Sequence, residues 1–402
     1  MSDKAAYAGL KVIDLSQGVA GPYCAMLLAQ HGANVIKVEP VQGGDWSRGL
    51  GTRHGDHTAY SLIANLGKRS IALDLKEEAG KAVLHRLLHG ADVFIQGYRP
   101  GVIDRLGFGY DAVAAAEPSI VYLSVSGFGQ TGPFAERHAM DPVLQAFTGL
   151  TNENVGEDGI PHRVPIIAID MSCGLYAFAA VAPALYARNR TGEGRHIASS
   201  LLEAGACLQA VRLLQHHLDG GQIRAPAGPS GVFRCADGWI NITVARQHEW
   251  VAFCAALDKP ALADDPRFAV IAGRVENAEA LRAMLRPLLE RQRFAELSER
   301  LVRHHVMHEK VNSYAAFLAH PQVAACGAVD WIAHPDVPGR LPLPNLPGAV
   351  PFGMEEAPAA APGLGEHSRE ILTEHGYDPR VIDDLVERRI IGAGTAMSSA
   401  AA

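Results

Sequence analysis

The sequence predicts an α/β protein: a large domain with a doubly wound, mainly parallel sheet, and a smaller α+β domain. Three observations carry this expectation. Strand-like apolar runs alternate with helical patterns over the first 200 residues, the order that gives parallel strands joined by right-handed crossovers. A Gly- and Pro-rich break, DGGQIRAPAGPSG, falls at 219–231. Helical text returns near the C-terminus after a proline-rich extended stretch, VPGRLPLPNLPGAVPF (337–352).

The elements follow in order. KVIDLS (11–16) reads as a buried strand. Gly21-Pro22 opens a helix, with proline in the first turn, where its missing N–H does no harm. That helix, YCAMLLAQH, stops at Gly32. NVIKVE (34–39) is the next strand, followed by a glycine-rich loop, VQGGDWSRGLGTRHGD. RSIALDL is a strand, EEAGKAVLHRLLHG a helix, ADVFIQ a strand, PGVIDRLG a short helix and SIVYLSVS (119–126) a strand. RHIASS (195–200) adds another strand, and LLEAGACLQAVRLLQHHL a long helix with apolar residues at helical spacing. After the break, FRCADGWINITVA reads as a hairpin turning at Asp-Gly. Helical segments follow to about 302, EEAPAAAPG is a linker, and HSREILTEHG and PRVIDDLVERRI are terminal helices. The tail GAGTAMSSAAA is expected to be disordered. These signals divide the chain into 1–224, 225–325 and a return segment, 326–402.

The 402 residues are 48% apolar and 20% charged, ample for a globular core. A net charge of −7 gives no electrostatic case for nucleic acid or a membrane surface. Cys24, Cys173, Cys207, Cys235, Cys254 and Cys326 are scattered, with no CxxC pair. They are expected to be reduced core thiols, without a disulfide framework or zinc site. The N-terminus lacks a signal-peptide core. The longest apolar run, CGLYAFAAVAPALYA, has about 15 residues and is read as a buried helix too short to span a bilayer. A cytoplasmic protein is expected.

Few local patterns carry chemistry. GFGQTG (127–132) matches GxGxxG after a strand, but Pro133-Phe134-Ala135 follows and no helix opens at the glycines. It is read as a turn-rich loop over the sheet, not a dinucleotide site. In HHVMHEK (304–310), His304 and His308 stand four apart, which reads as a solvated helix face. There is no GxSxG elbow and no Walker lysine loop.

Asp170 stands out, a carboxylate inside VPIIAIDMSCGLYAFAAVAPALYA (164–187). PIIAI suits a strand and MSCGLYAFAA a helix, so Asp170 is placed at a strand's carboxyl end and a helix N-terminus. Local sequence favours an N-cap. A capping carboxylate, kept ionised by the helix dipole, also suits a nucleophile.

Several stretches together are more specific. LKVIDLSQGVAGP, GANVIKVEP, GKRSIALDLK, RPGVIDRLGFGYD, PSIVYLSVSGFGQTGP, RTGEGRHIASSLLEA and APGLGEHSREIL resemble the family III CoA-transferases (the CaiB/BaiF, formyl-CoA transferase-like family), over roughly 8–391. The resemblance implies an interlaced homodimer, two subunits threaded like linked rings. Each would have a Rossmann-like large domain built from both chain ends. It implies acyl-CoA and a free organic acid as substrates, with no metal and no cofactor beyond coenzyme A itself. Asp170 matches the family's nucleophile, and Asp141 an acidic residue packed near it. Val19 and Ala20 match the segment lining the pantetheine end. Leu73 and Lys76 bound the adenine-side segment. Gln96, Gly97, Tyr98 and Arg99 match the loop beside the nucleotide, Arg105 a further phosphate contact, and His138 a CoA-facing lysine.

This sequence also departs from the family pattern. Val19 replaces a glutamine that assists the nucleophile in formyl-CoA transferases, and Met140 replaces their active-site tyrosine. Gly97 stands where most members have Asn. The glycine-rich shielding loop is reduced to AGPSG (227–231), and VMHEKVNS (306–313) replaces a small-residue pattern. A more apolar wall implies an acid larger than formate or oxalate: a dicarboxylate, or a branched or aromatic acid. Its distal end would meet His308, Glu309 and Lys310. Two alternatives stand beside this reading. One is a 2-methylacyl-CoA racemase, whose catalytic His would fall at Met140; the other is a non-catalytic CoA-binding protein.

Overall fold

In a computed structural model, which describes residues 5–156, 159–221, 228–354 and 360–392, six strands form one wholly parallel sheet. They are β1 (Lys11–Asp14), β2 (Asn34–Glu39), β3 (Arg69–Ala72), β4 (Val93–Gln96), β5 (Val121–Ser126) and β6 (Arg195–Ser200). Their spatial order is β3-β2-β1-β4-β5-β6. Ile13 pairs with Ile36 on one side and Phe94 on the other, so the order reverses between β1 and β4. At such a reversal the connections diverge and leave a crevice at the carboxyl ends of the strands.

The helices woven through this sheet are α1 (Ala20–Gln30), α2 (Ala59–Asn65), α3 (Glu78–Leu88), α4 (Val102–Leu106), α5 (Tyr110–Ala116), α6 (Asp141–Phe147), α7 (Leu150–Glu153), α8 (Ala168–Thr191) and α9 (Leu201–Leu208); α10 (Ala210–Leu218) follows and belongs, from Val211 on, to a second unit. Every residue of α1 is buried, as an all-round apolar helix must be. It lies between the sheet and α8, whose Gly174 allows close approach: a Cβ there would sit 2.8 Å from Ala20 O.

The chain divides into two compact units, Met1–Ala210 with Gly327–Ala402, and Val211–Cys326. The Gly/Pro-rich text suggested a boundary at 224; the chain divides earlier, just after a helix break at Gln209. The second unit carries an antiparallel sheet of β7 (Ser230–Cys235), β8 (Gly238–Thr243) and β9 (Met307–Lys310). Around its core of Trp250, Phe253, Leu285 and Leu297 run α11 (Gln247–Ala256), α12 (Ile271–Glu276), α13 (Ala278–Glu290) and α14 (Phe294–Arg303), with α15 (Tyr314–Leu318) and α16 (Pro321–Ala325) following. The return segment supplies the hairpin β10 (Val329–His334) and β11 (Val337–Pro344), then α17 (Ser368–Glu374) and α18 (Pro379–Glu387). Ile332, Val337 and Phe352 pack against Tyr23 and Leu62, while Ile371 and Leu385 share a core with Ile36 and Leu84.

Several local expectations are corrected. PIIAI forms no strand: α8 begins at Ala168, and Gln145 bonds the backbone of Val164 and Ile166 where a strand would need a neighbour. LLEAGACLQAVRLLQHHL is two helices, broken at Gln209, whose side chain bonds Thr148 and Gly205. HHVMHEK is not a helix face. Residues 307–310 pair with β8, and His308 bonds Ser298 and Val306. Cys207 and Cys326 are exposed; the other four cysteines are buried and all six are free. The apolar run is also longer than it reads. Helix α8 has 24 residues, the one helix among the described residues long and apolar enough to cross a membrane, with 39% of its most apolar 18-residue stretch buried. Ile169, Cys173, Ala177, Val181 and Ala184 face the core, whereas Leu175, Tyr176 and Tyr186 are exposed. The expected linker at 219–231 and the tail lie partly outside the described residues.

Candidate active site

Asp170 is the third residue of α8, so it is not the helix cap. The residue before the helix, Ile167, offers no side-chain acceptor to the first N–H groups. They are satisfied from another element: Asp141 Oδ2 accepts from Ile169 N–H at 2.7 Å and from Asp170 N–H at 3.0 Å. Asp141 is itself fixed, because Gln145 one turn along α6 donates to its Oδ1 at 2.6 Å. A buried carboxylate thus holds the backbone of a second carboxylate, and the Asp170 side chain is left free to project into a cavity.

That cavity, of about 270 Å³, opens at the sheet's reversal point. Gln17, Val19 and Ala20 come from the β1–α1 connection, Gly97, Tyr98 and Arg99 from the turn after β4, and Ser126 and Gly127 from the end of β5 and the loop beyond it; Ala139, Met140, Trp46 and Leu201 complete the wall. Burial first, and the Asp141 charge second, push the Asp170 carboxyl up to about 7. The expectation that the helix keeps it firmly ionised is therefore revised: it titrates near neutrality. Cys173, one turn on, is inert as a nucleophile, since burial pushes its thiol up to about 12.

A second cavity of about 880 Å³ shares Leu15 and Tyr98 with the first. Leu73 and Lys76 line it, as do Arg388 and Arg389 from the return segment. The return segment is pinned there by Asp74 N–H to Ile390 O at 2.9 Å and Gly392 N–H to Ala72 O at 3.1 Å.

A buried cluster of six charges, one of them Glu39 in the wall of the larger cavity, lies in the same unit. Lys37 bonds Asp45 at 2.8 Å and Ser16 O; Lys68 bonds Asp14 at 2.7 Å; Arg48 grips Glu39 at 2.7 Å through two nitrogens. Asp45 also accepts from Gly18 N–H at 2.9 Å, so the cluster fixes the loop that leads to Val19. Burial opposes charge on Asp14, yet Lys37 and Lys68 hold its carboxyl below the usual range.

The sequence-derived residues sort plainly. Asp170, Asp141, Val19, Ala20, Gly97, Tyr98, Arg99 and Met140 come together around the first cavity or its support, and Leu73 and Lys76 around the second. Gln96 lines neither; its side chain bonds Ser124 and accepts Tyr98 N–H, shaping the turn. Arg105 and His138 are exposed and line neither cavity. His308, Glu309 and Lys310 lie on β9 in the second unit. Sequence reasoning missed Gln17, Trp46, Gln145, Arg388 and Arg389. Gln145 had a signal, its i,i+4 spacing from Asp141.

A doubly wound sheet with a desolvated carboxylate at its reversal point defines a ligand-binding enzyme domain with a candidate covalent nucleophile. The chain belongs to CoA-transferase family III, whose model matches residues 7–368, and it is a CoA-transferase. It is 38% identical over 301 residues to the acetyl-CoA:oxalate CoA-transferase of Acetobacter aceti, covering 72% of this chain and 76% of that one. It is 32% identical over 394 residues to the succinyl-CoA:glutarate CoA-transferase of Homo sapiens, covering 95% and 89%. A CaiB/BaiF family protein from Brucella suis superposes with a TM-score of 0.79 at 30% identity, covering 92% and 98%.

Proposed function

We propose that the protein moves CoA from an acyl-CoA to a dicarboxylic or other medium-sized organic acid, with Asp170 as the nucleophile. The observation that carries this is the held, desolvated Asp170 carboxylate facing a cavity at the sheet's reversal point. The named substrates of the relatives, oxalate and glutarate, support an organic-acid acceptor.

The carboxylate attacks the thioester carbonyl; the C–S bond breaks, CoA thiolate leaves and an aspartyl-acyl anhydride remains. The thiolate attacks the aspartyl carbonyl, expelling the donor acid as its carboxylate and leaving an aspartyl-CoA thioester. The acceptor carboxylate then attacks that thioester, giving a second anhydride and free thiolate. Attack of the thiolate on the acceptor acyl carbon forms the new acyl-CoA and regenerates Asp170. Each step exchanges one acyl bond for another, so thioester energy is kept provided water stays out. Val19, Ala20, Leu201 and Met140 supply that dry wall.

The nucleotide of CoA takes the larger cavity, with Lys76, Arg388 and Arg389 toward its phosphates. The pantetheine passes Leu15 and Tyr98 to reach Asp170. A second copy completes the molecule as a homodimer. Helix α8 exposes Tyr186 at 68% and α10 exposes Val211 at 78%, apolar surface of the kind association covers. The racemase alternative gains no support, because Met140 lines the cavity and His138 does not.

Trapping tests the reading. The protein is incubated with succinyl-, acetyl- or aromatic acyl-CoA, then with hydroxylamine or borohydride, and digested for mass spectrometry. A hydroxamate or reduced side chain at Asp170 is expected. Its absence with every donor refutes the covalent route, and proton exchange at Cα without CoA transfer refutes the transferase assignment.

A further inference from the structure

Two turns meet away from both cavities. In the first, His54 and His57 exchange backbone hydrogen bonds of 2.7 and 3.0 Å around Gly55, whose φ is +60°. Thr58 then caps α2 and donates to Ser47 O at 2.7 Å, so the turn is held at both ends. The second is the turn at 334–337 that joins β10 to β11. Between them converge His57, His334 and Asp336, each offering one ligand atom, all within 4.8 Å of one another.

Three details separate this cluster from a chance grouping. His57 has no exposed surface, and neither of its ring nitrogens has a hydrogen-bond partner among the described residues. The nearest acceptor, Asp336 Oδ2, stands 3.5 Å from Nε2, at the outer limit of a hydrogen bond. A buried imidazole in that state is penalised unless something coordinates it. His334 Nε2 lies 3.1 Å from Ala361 O and 3.3 Å from Ala361 N–H, and its Nδ1 accepts from Asp336 N–H at 3.2 Å, a bond that coordination through that nitrogen would replace. The Asp336 side chain is 48% exposed and gives the site its access to solvent.

We propose that His57, His334 and Asp336 form a zinc-binding site that clips the 54–57 turn to the β10–β11 turn. Two imidazoles and one carboxylate are the donor set of a borderline cation, and three protein ligands leave a fourth position for water on the Asp336 side. The ion would join the N-terminal part of the first unit to the start of its return segment.

The experiment uses the full chain, stripped with a chelator and titrated with Zn(II) alone under native mass spectrometry. A parallel sample takes Co(II), whose visible spectrum reports tetrahedral nitrogen and oxygen ligands. Retention of one Zn(II) per chain and a rise in melting temperature are expected. His57→Gln is expected to abolish both, and Asp336→Asn, at a half-exposed position that leaves folding intact, to weaken binding by about tenfold or more. Failure of the wild-type chain to retain Zn(II) overturns the site. So does equal uptake, with the same Co(II) spectrum, by wild type and Asp336→Asn, which would place the metal on other histidines.

Discussion

Replacing Asp170 by Asn should stabilise the protein while abolishing transfer. Burial and the Asp141 charge raise the Asp170 carboxyl from 3.8 to about 7. At roughly 1.4 kcal/mol per pH unit, that rise corresponds to about 4 kcal/mol, and contact with solvent through the open cavity reduces it to about 2 kcal/mol. The direction follows from linkage. Below the unfolded value the group is neutral in both states and costs nothing. Between there and about 7 the unfolded chain ionises first, so native stability falls as pH rises; above about 7 the penalty is constant. Asn carries no charge and escapes it. Urea denaturation of wild type and Asp170→Asn at pH 5, 6, 7 and 8 should show the variant's advantage growing with pH and levelling near 2 kcal/mol. A variant no more stable at pH 8, or one whose advantage does not change with pH, would refute the claim that this carboxylate is held desolvated.

Three further outcomes follow from the same geometry. For the wild type, kcat/KM should rise with pH through an apparent midpoint near 7, as the Asp170 carboxylate forms. Asp141→Asn should move that midpoint toward acid, because one of the two causes of the rise is gone, and should cut the rate about 10- to 100-fold through misplacement of α8; an unmoved midpoint would separate the two carboxylates. Asp45→Asn leaves Lys37 facing a neutral amide in the buried cluster and should destabilise by about 3 kcal/mol in urea, where a change within error would show the pair to be dispensable. Arg389→Ala should raise KM for acyl-CoA about tenfold with kcat unchanged, and should do so less for a donor lacking the 3′-phosphate; equal effects on both donors would remove Arg389 from the phosphates.

The sheet was legible because its strands are apolar runs bounded by turn residues. NVIKVE, for instance, is β2 residue for residue. The position of Asp170, and Asp141 near it, were legible from motif, but how the two are joined was not. Asp141 holds the Asp170 backbone from 29 residues earlier, and no local pattern carries that bond. PIIAI looks like a strand because it is β-branched and apolar, yet Gln145 takes up its backbone groups and no neighbouring strand does. HHVMHEK looks helical from the spacing of His304 and His308, and pairing of residues 307–310 with β8 overrides that spacing. Arg388 and Arg389 fall in the text of a terminal helix, PRVIDDLVERRI, and only the return of that segment beside β3 brings them to the cavity.

The larger cavity draws on residues far apart in the chain, and that sets an order of events during synthesis. Lys76 leaves the ribosome well before Arg389, with all of 211–326 made between them. At about 10 residues per second that interval alone lasts roughly ten seconds. Throughout it, Arg48 lacks Pro362 O and the Ser70 hydroxyl lacks Gly365 N–H, both supplied by the return segment. The unfinished edge is therefore lined with solvated charge as well as bare apolar surface, a poor template for misassociation. The cavity lined by both Lys76 and Arg389 is whole only once the return segment has been made and has folded back beside β3.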